Sequence, residues 1–411
     1  MRILFVQPTS DKQGHYGIYS VRVNQNLAAL GHDVTLYTNA LDTKRYMTEQ
    51  PLFSCVEHAG GKYAFAPCEN AGNAKRWRYL YSYIRNSFVI LRGALRRAAR
   101  DGGYDVIQIT DCEFLVTALL LKWYAKKIPP VCILLHAANF SFKEYDGGLL
   151  KKCYKAVQSA VFRSCVGHEI KSIITLGNYH RERLEAQLQI GDTCKVHVVY
   201  DGADIPDTIP QSTDARVRLG IPDNATIFLL FGMMRRDKGI EYLLKALEGL
   251  EGSWRLLMAG APADYLQAEL AELIKEAGLT EKVITVFRFL EPAEVPLFFA
   301  ASDCVVFPYR RAYRGGTGPL MKEAAPHRRP VIATRVSEMG SIVARHNIGF
   351  VAEPEDVASL QQALRNFILT DSEQRRAFGD RISALAQSWR ALATAYANVY
   401  GDMRNRAYVQ K

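Results

Sequence analysis

A continuous apolar run, Ile3 to Val6, is followed by a glycine-bearing loop, a helical repeat and a second strand, Val34 to Thr38. Apolar runs without polar alternation are strands buried on both faces. Val23, Leu27 and Leu30 recur at spacings of four and three, which predicts a helix that Gly31 stops. Strand, loop, helix, strand is a βαβ unit, and such units commit a chain to a parallel sheet covered by helices. Ligands in these folds bind beyond the carboxyl ends of the strands, which is where the loop carrying Gly14 and Gly17 falls. That loop is not G-x-G-x-x-G, so a dinucleotide fingerprint is not supported.

The alternation continues. Tyr104 to Ile109, Val131 to Leu135, Ser172 to Leu176 and Val196 to Tyr200 read as further strands. His136 closes the second of these, where an imidazole can donate to a bound sugar or move a proton, or pack as a structural residue. Asp201-Gly202-Ala203-Asp204 then leads into a proline-containing polar stretch ending at Pro222, the best candidate linker. Beyond it the pattern repeats. Thr226 to Phe231 is a strand, Gly232 to Gly239 a basic loop, and Ile240, Leu243, Leu244, Leu247 and Leu250 form one helical stripe. The expected fold is α/β, with two Rossmann-like domains facing a cleft. The boundaries read as 1–205 and 206–385, with helices over 386–411 crossing back to the first domain.

Near the end of the second half, Cys304 to Phe307 and Val331 to Thr334 are short strands flanking a loop with Arg310, Arg311 and Arg314. The loop closes on Gly315-Gly316-Thr317-Gly318, and Pro319 suits the first position of a helix. Thr317 or Gly318 can cap that helix. Glycines allow close backbone approach and helix starts attract anions, so the stretch reads as a phosphate cradle or as an ordinary strand-to-helix turn.

Lys and Arg exceed Asp and Glu by ten over 411 residues, which favours anionic partners. Residues 75–101 concentrate the effect: Arg78, Arg85 and Arg92 are seven apart, with Trp77, Tyr79, Tyr81, Tyr83 and Phe88 interleaved. This composition suits contact with an anionic membrane surface, or a solvated helix flank. No nucleic-acid-binding motif accompanies the charge, so nucleic acid is not expected. The eight cysteines show no metal-ligand spacing and read as buried thiols in a reducing compartment. Neither the amino-terminal apolar run nor Phe114 to Leu121 reaches membrane-spanning length. A cytoplasmic protein is expected, peripheral on the cytoplasmic face of the membrane where it touches lipid.

Together these segments resemble the retaining glycosyltransferases of the GT-B fold, family 4 type. Gly31-His32-Asp33-Val34 matches the family's G-H-x-V strand start, and His136 its strand-end histidine. Asp201-Gly202-Ala203-Asp204 is similar to its interdomain P-N-G-V-D motif. Gly232 to Gly239 matches the basic loop, with Lys238 in the lysine position, and Glu323-Ala324-Ala325 the E-A-x-A helix. Three positions depart from the pattern. Met233 stands where an arginine is usual, with Arg235 as its substitute; Gly315 replaces the first glutamate of E-x7-E; and Asp201 replaces an asparagine.

The resemblance implies transfer of a sugar from a nucleotide-sugar donor to a glycan or lipid-linked acceptor, with retention and without metal or cofactor. It assigns His136, Arg235 and Lys238 to catalysis, and Gly14, Gly17, Gly316, Thr317, Gly318 and Glu323 to donor binding. Surface polysaccharide assembly is the expected setting. A nucleotide-sugar 2-epimerase on the same fold and a non-catalytic nucleotide-sugar-binding subunit are the competing readings.

Overall fold

The computed structural model describes residues 1–10, 15–41, 50–57, 73–136, 140, 148–222 and 224–409. They form two compact units. One runs to Tyr200 and resumes at Trp389; the other is Asp201–Ser388.

In the first unit seven parallel strands are ordered β3-β2-β1-β4-β5-β6-β7. They are β1 (Arg2–Gln7), β2 (Asp33–Thr38), β3 (Ser54–Glu57), β4 (Val106–Thr110), β5 (Val131–Leu135), β6 (Ile170–Leu176) and β7 (Lys195–Val199). Because successive side chains point to opposite faces, Ile3 and Phe5 enter one core while Leu4 and Val6 enter another. The first core is covered by Tyr19, Val23 and Leu27 of the helix His15–Ala29 and by Trp389, Leu392 and Tyr396 of the helix Trp389–Val409. The hydroxyls of Tyr19 and Tyr396 meet at 2.5 Å. The second core is covered by Ile90, Leu91 and Leu95 of one 29-residue helix, Asn73–Asp101, and by Leu121 and Phe162. Gly93 lies within that helix, and a Cβ there would stand 2.4 Å from the Tyr37 hydroxyl. The glycine that lowers helix propensity is what lets the helix settle on β2.

In the second unit six parallel strands are ordered β10-β9-β8-β11-β12-β13. They are β8 (Thr226–Phe231), β9 (Trp254–Ala259), β10 (Val283–Val286), β11 (Cys304–Phe307), β12 (Val331–Thr334) and β13 (Gly349–Ala352). Phe228, Leu256, Cys304 and Ile332 pack under the stripe Ile240, Leu243, Leu244 and Leu247 and under Leu360, Leu364 and Phe367. The stretch expected to be a linker is partly helix. Ser212–Leu219 is helical, and Arg216 is buried, donating to Asp303 at 2.8 Å and to the Ala301 carbonyl at 3.1 Å. Arg216 thereby ties the stretch to this unit, an interaction 87 residues distant in sequence that composition does not reveal.

In each sheet the strand order reverses between two neighbours, β1 and β4 in the first, β8 and β11 in the second. Such switch points leave a crevice outside the carboxyl ends of the strands. Most of the predicted residues fall at these two places.

Candidate functional site

At the first switch point, the ends of β1, β4 and β5 supply Gln7, Asp111 and His136. Asp111 sits directly after β4 in the left-handed region, φ 51°, a conformation that Asp tolerates better than most residues. This turn carries its carboxylate to both neighbours. One oxygen meets His136 Nδ1 at 2.8 Å, and the other accepts from Gln7 Nε2 at 2.8 Å. Gln7 is itself buried, donating also to Thr9 and accepting from the Thr110 hydroxyl. The edges of Tyr16 and Tyr19 close on the imidazole, with centroids 5.9 and 5.3 Å away. An ionised Asp111 requires the proton on Nδ1, which fixes the ring's orientation and leaves Nε2 unprotonated in the neutral ring. Sequence reasoning found His136 and missed Asp111. The available signal was a row of polar residues, Gln7, Thr110 and Asp111, closing strands that are mostly apolar.

At the second switch point, the loop after β8 holds Arg235 and Lys238. Lys238 is buried, and its ammonium donates to the carbonyl of Phe231, the last residue of β8. Burial pulls its pKa down to about 8; the Glu323 carboxylate works against that, and Arg235 adds repulsion. Burial correspondingly pushes the Glu323 carboxyl up, opposed first by Lys238. Arg235 is clamped by both oxygens of Asp237, at 2.9 and 3.0 Å. Tyr309 and Tyr313, both buried, wall the group, with Lys238 Nζ 6.0 Å from the Tyr309 ring centroid. Lys238, Arg235 and Glu323 thus act on one another electrostatically, with Lys238 buried and the Arg235 side chain 36% exposed. Glycines permit the close approaches: a Cβ on Gly239 (φ 67°) would lie 2.1 Å from the Pro308 carbonyl oxygen.

The glycine stretch departs in detail from expectation. Gly318 occupies the cap position before a short π-helix, Pro319–Ala324, and no side chain caps it. Thr317 is buried, and its carbonyl, not its hydroxyl, accepts from Met321 N. Asp201 lies against Gly318, where a Cβ would come within 2.9 Å of its carboxylate. The Tyr313 hydroxyl donates to the Gly316 carbonyl at 3.1 Å. A Cβ at Gly315 would meet that same tyrosine at 2.3 Å, so the ring takes the space a glutamate side chain would need. The basic loop is more neutral than its composition implies. Arg310 pairs with Glu355 and Glu241, Arg311 with Glu355, and Arg314 donates to the Arg311 carbonyl.

Gly17 is not in a loop but in the first turn of the helix His15–Ala29, where it is buried. The helix begins earlier than the aliphatic spacing indicated because Tyr19 joins its apolar stripe. Gly14 lies outside the described residues. Among the described residues no three of His, Cys, Asp or Glu gather as a metal site requires.

The Glycosyltransferase Family 4 description matches residues 17–206, and Glycosyl transferases group 1 matches residues 211–383. The D-inositol 3-phosphate glycosyltransferase of Xylanimonas cellulosilytica is 26% identical over 97% of this chain and 94% of its own length. That of Corynebacterium kroppenstedtii is 28% identical over 50% of this chain, which spans about half (48%) of that relative. Among solved structures, Anabaena HepE in complex with UDP and glucose matches with a TM-score of 0.70 at 17% identity, covering 98% of this chain and 100% of that one. Two parallel α/β sheets, and family matches spanning both units, place this chain in the family 4 glycosyltransferases of the GT-B fold.

Proposed function

We propose that this glycosyltransferase moves a sugar from a nucleotide-sugar donor to a glycan or lipid-linked acceptor with retention, in surface polysaccharide assembly. The observation that carries the reading is the buried Lys238, held beside Arg235 and Glu323 at the β8/β11 switch point. Charge develops on the departing diphosphate, and cations already fixed in place stabilise it without reorganising. Lys238 offers a point charge and Arg235 a planar fork, the positive groups that a metal ion would otherwise bring. Glu323 is assigned to the ribose hydroxyls, and backbone N–H groups of Gly316, Thr317 and Gly318 to the phosphates. In the first unit His136, oriented by Asp111, is assigned to a sugar hydroxyl. HepE, with UDP and glucose bound, supports a uridine nucleotide as the first donor to try.

A membrane-facing side completes the reading. Arg85, Arg92 and Arg96 are exposed along the helix Asn73–Asp101, with exposed Tyr81 one turn before them and Phe88 among them. The neighbouring helix Phe114–Tyr124 exposes Leu119 and Trp123, and the next, Leu149–Arg163, exposes Leu149 beside Lys151 and Lys152. Basic residues with exposed aromatics suit the interface of an anionic bilayer. Among the described residues no helix is long and apolar enough to cross a membrane.

A thermal-shift screen of UDP-, GDP-, ADP- and dTDP-sugars tests the donor, since a ligand of the folded state alone raises its stability. NMR of the anomeric proton in the product tests retention. Pelleting with anionic vesicles at low and high salt tests the membrane side: binding that weakens with salt is expected, and absence of binding at both salts would refute it.

A further inference from the structure

The second unit holds a cavity that the donor chemistry does not use. It lies at the amino ends of β11 and β12, opposite the switch-point edge, because Asp303 directly precedes one strand and Pro330 the other. Its volume is about 260 Å³, and its walls carry Arg328, Arg329, Arg375 and Arg376 against only Asp303 and Asp380.

Most of these charges are already engaged. Asp303 accepts from Arg216 at 2.8 Å and from the Ile227 amide at 2.7 Å. Asp380 pairs with Arg328. Arg375 donates to the carbonyls of Phe367 and Ile368, both at 3.0 Å, and stacks on the Phe367 ring. Arg329 is different. It is mostly buried, its Nε is sealed from solvent, and it has no hydrogen-bond or ion-pair partner among the described residues. Burial accordingly pulls its pKa down, with the Asp303 field opposing. A guanidinium in this position lacks the acceptor that burying a charge ordinarily demands. The wall is rigid where it matters: a Cβ on Gly379 would come within 2.7 Å of the Arg328 carbonyl, so the helix Ser372–Ser383 is packed directly on the arginine turn.

A second cavity of about 380 Å³ adjoins the first through the shared residues Ile209 and Arg328, and is walled by Ile205, Pro206, Ala325 and Pro326. We infer that the arginine cavity binds a phosphate group, with Arg329 and Arg376 as its principal cations. The adjoining, more apolar space takes the body of a small phosphorylated molecule. Guanidinium and phosphate match in charge and in bidentate geometry. The inference is independent of the donor assignment.

The test is thermal shift and calorimetry on the full chain with inorganic phosphate and, separately, with a hexose monophosphate. Saturable stabilisation by either probe is expected, and tighter binding of the sugar phosphate would identify the second cavity as occupied. Arg376→Gln, on an exposed side chain, and Arg329→Gln should each weaken binding by about 10-fold or more. Both should leave the response to UDP unchanged. Arg329→Gln should also be at least as stable as the parent without ligand, since it removes an uncompensated charge. Lys238→Ala should retain the phosphate response. The inference is overturned if neither probe stabilises the parent saturably, if both arginine variants respond like the parent, or if Lys238→Ala alone removes the response.

Discussion

The Oδ1 of Asp111 lies 2.8 Å from Nδ1 of His136, and the turn that places it there is left-handed, at φ 51°. Asn shares the backbone preference of Asp for this region but offers no charge. Asp111→Asn should therefore fold normally while leaving the imidazole free to take the wrong tautomer. Turnover is expected to fall by roughly 10–100-fold, in line with the loss of a carboxylate that orients a working histidine. Steady-state kinetics with a melting curve distinguish this from a folding defect.

Lys238 titrates near neutrality because it is buried, at about pH 8. Below that pH it carries its charge to the diphosphate; above it the free protein loses the proton, and binding must restore it. Affinity for UDP should fall above pH 8, by up to about tenfold per unit. Lys238→Arg, charged throughout this range, should flatten the fall. Calorimetric titrations at pH 7, 8 and 9 decide the matter. Lys238→Ala should lower turnover roughly 10²–10³-fold with the fold intact.

Gly239 combines a left-handed backbone with a Cβ position 2.1 Å from the Pro308 carbonyl oxygen. Gly239→Ala should destabilise the second unit by roughly 2–4 kcal/mol, from strain and the backbone shift together. Chemical denaturation of the full chain, variant against parent, checks the value.

His327 stacks on Phe299 with centroids 4.5 Å apart, and burial, then Arg329, pull its pKa down to about 4. The unfolded chain protonates this histidine near pH 6.5, whereas the folded one resists until about pH 4. Between these values the unfolded state holds more protons, so stability decreases as pH falls, by up to roughly 3 kcal/mol from this group. His327→Phe keeps the stack and should flatten that part of the pH–stability curve. Melting temperatures from pH 7 to 4 for both proteins give the comparison.

The sheets were legible because parallel strands buried on both faces are written as unbroken apolar runs, as Ile3 to Val6 and Thr226 to Phe231 show. Lys238 and Glu323 were legible by register with a family pattern. Asp111 was not, because its meaning depends on β4 lying beside β1 and β5, an order the sequence does not state. Arg216 escaped for the same reason: its partner Asp303 arrives from a remote strand start. Gly17 was misplaced because the aliphatic repeat of its helix starts only at Val21 and Val23, while the turn before them is anchored by Tyr19. The loop after β11 has two of its three arginines, Arg310 and Arg311, paired with Glu241 and Glu355, which no local reading brings alongside.

The helix Trp389–Val409 belongs to the first unit, although all of Asp201–Ser388 intervenes. During synthesis the later-encoded body is the one that can mature without interruption. The earlier one must wait with Tyr19 and the Ile3 face of its sheet uncovered until Trp389, Leu392 and Tyr396 emerge. An uncovered apolar sheet face is prone to aggregation, so in a nascent chain the exposed liability lies in the oldest segment rather than the newest.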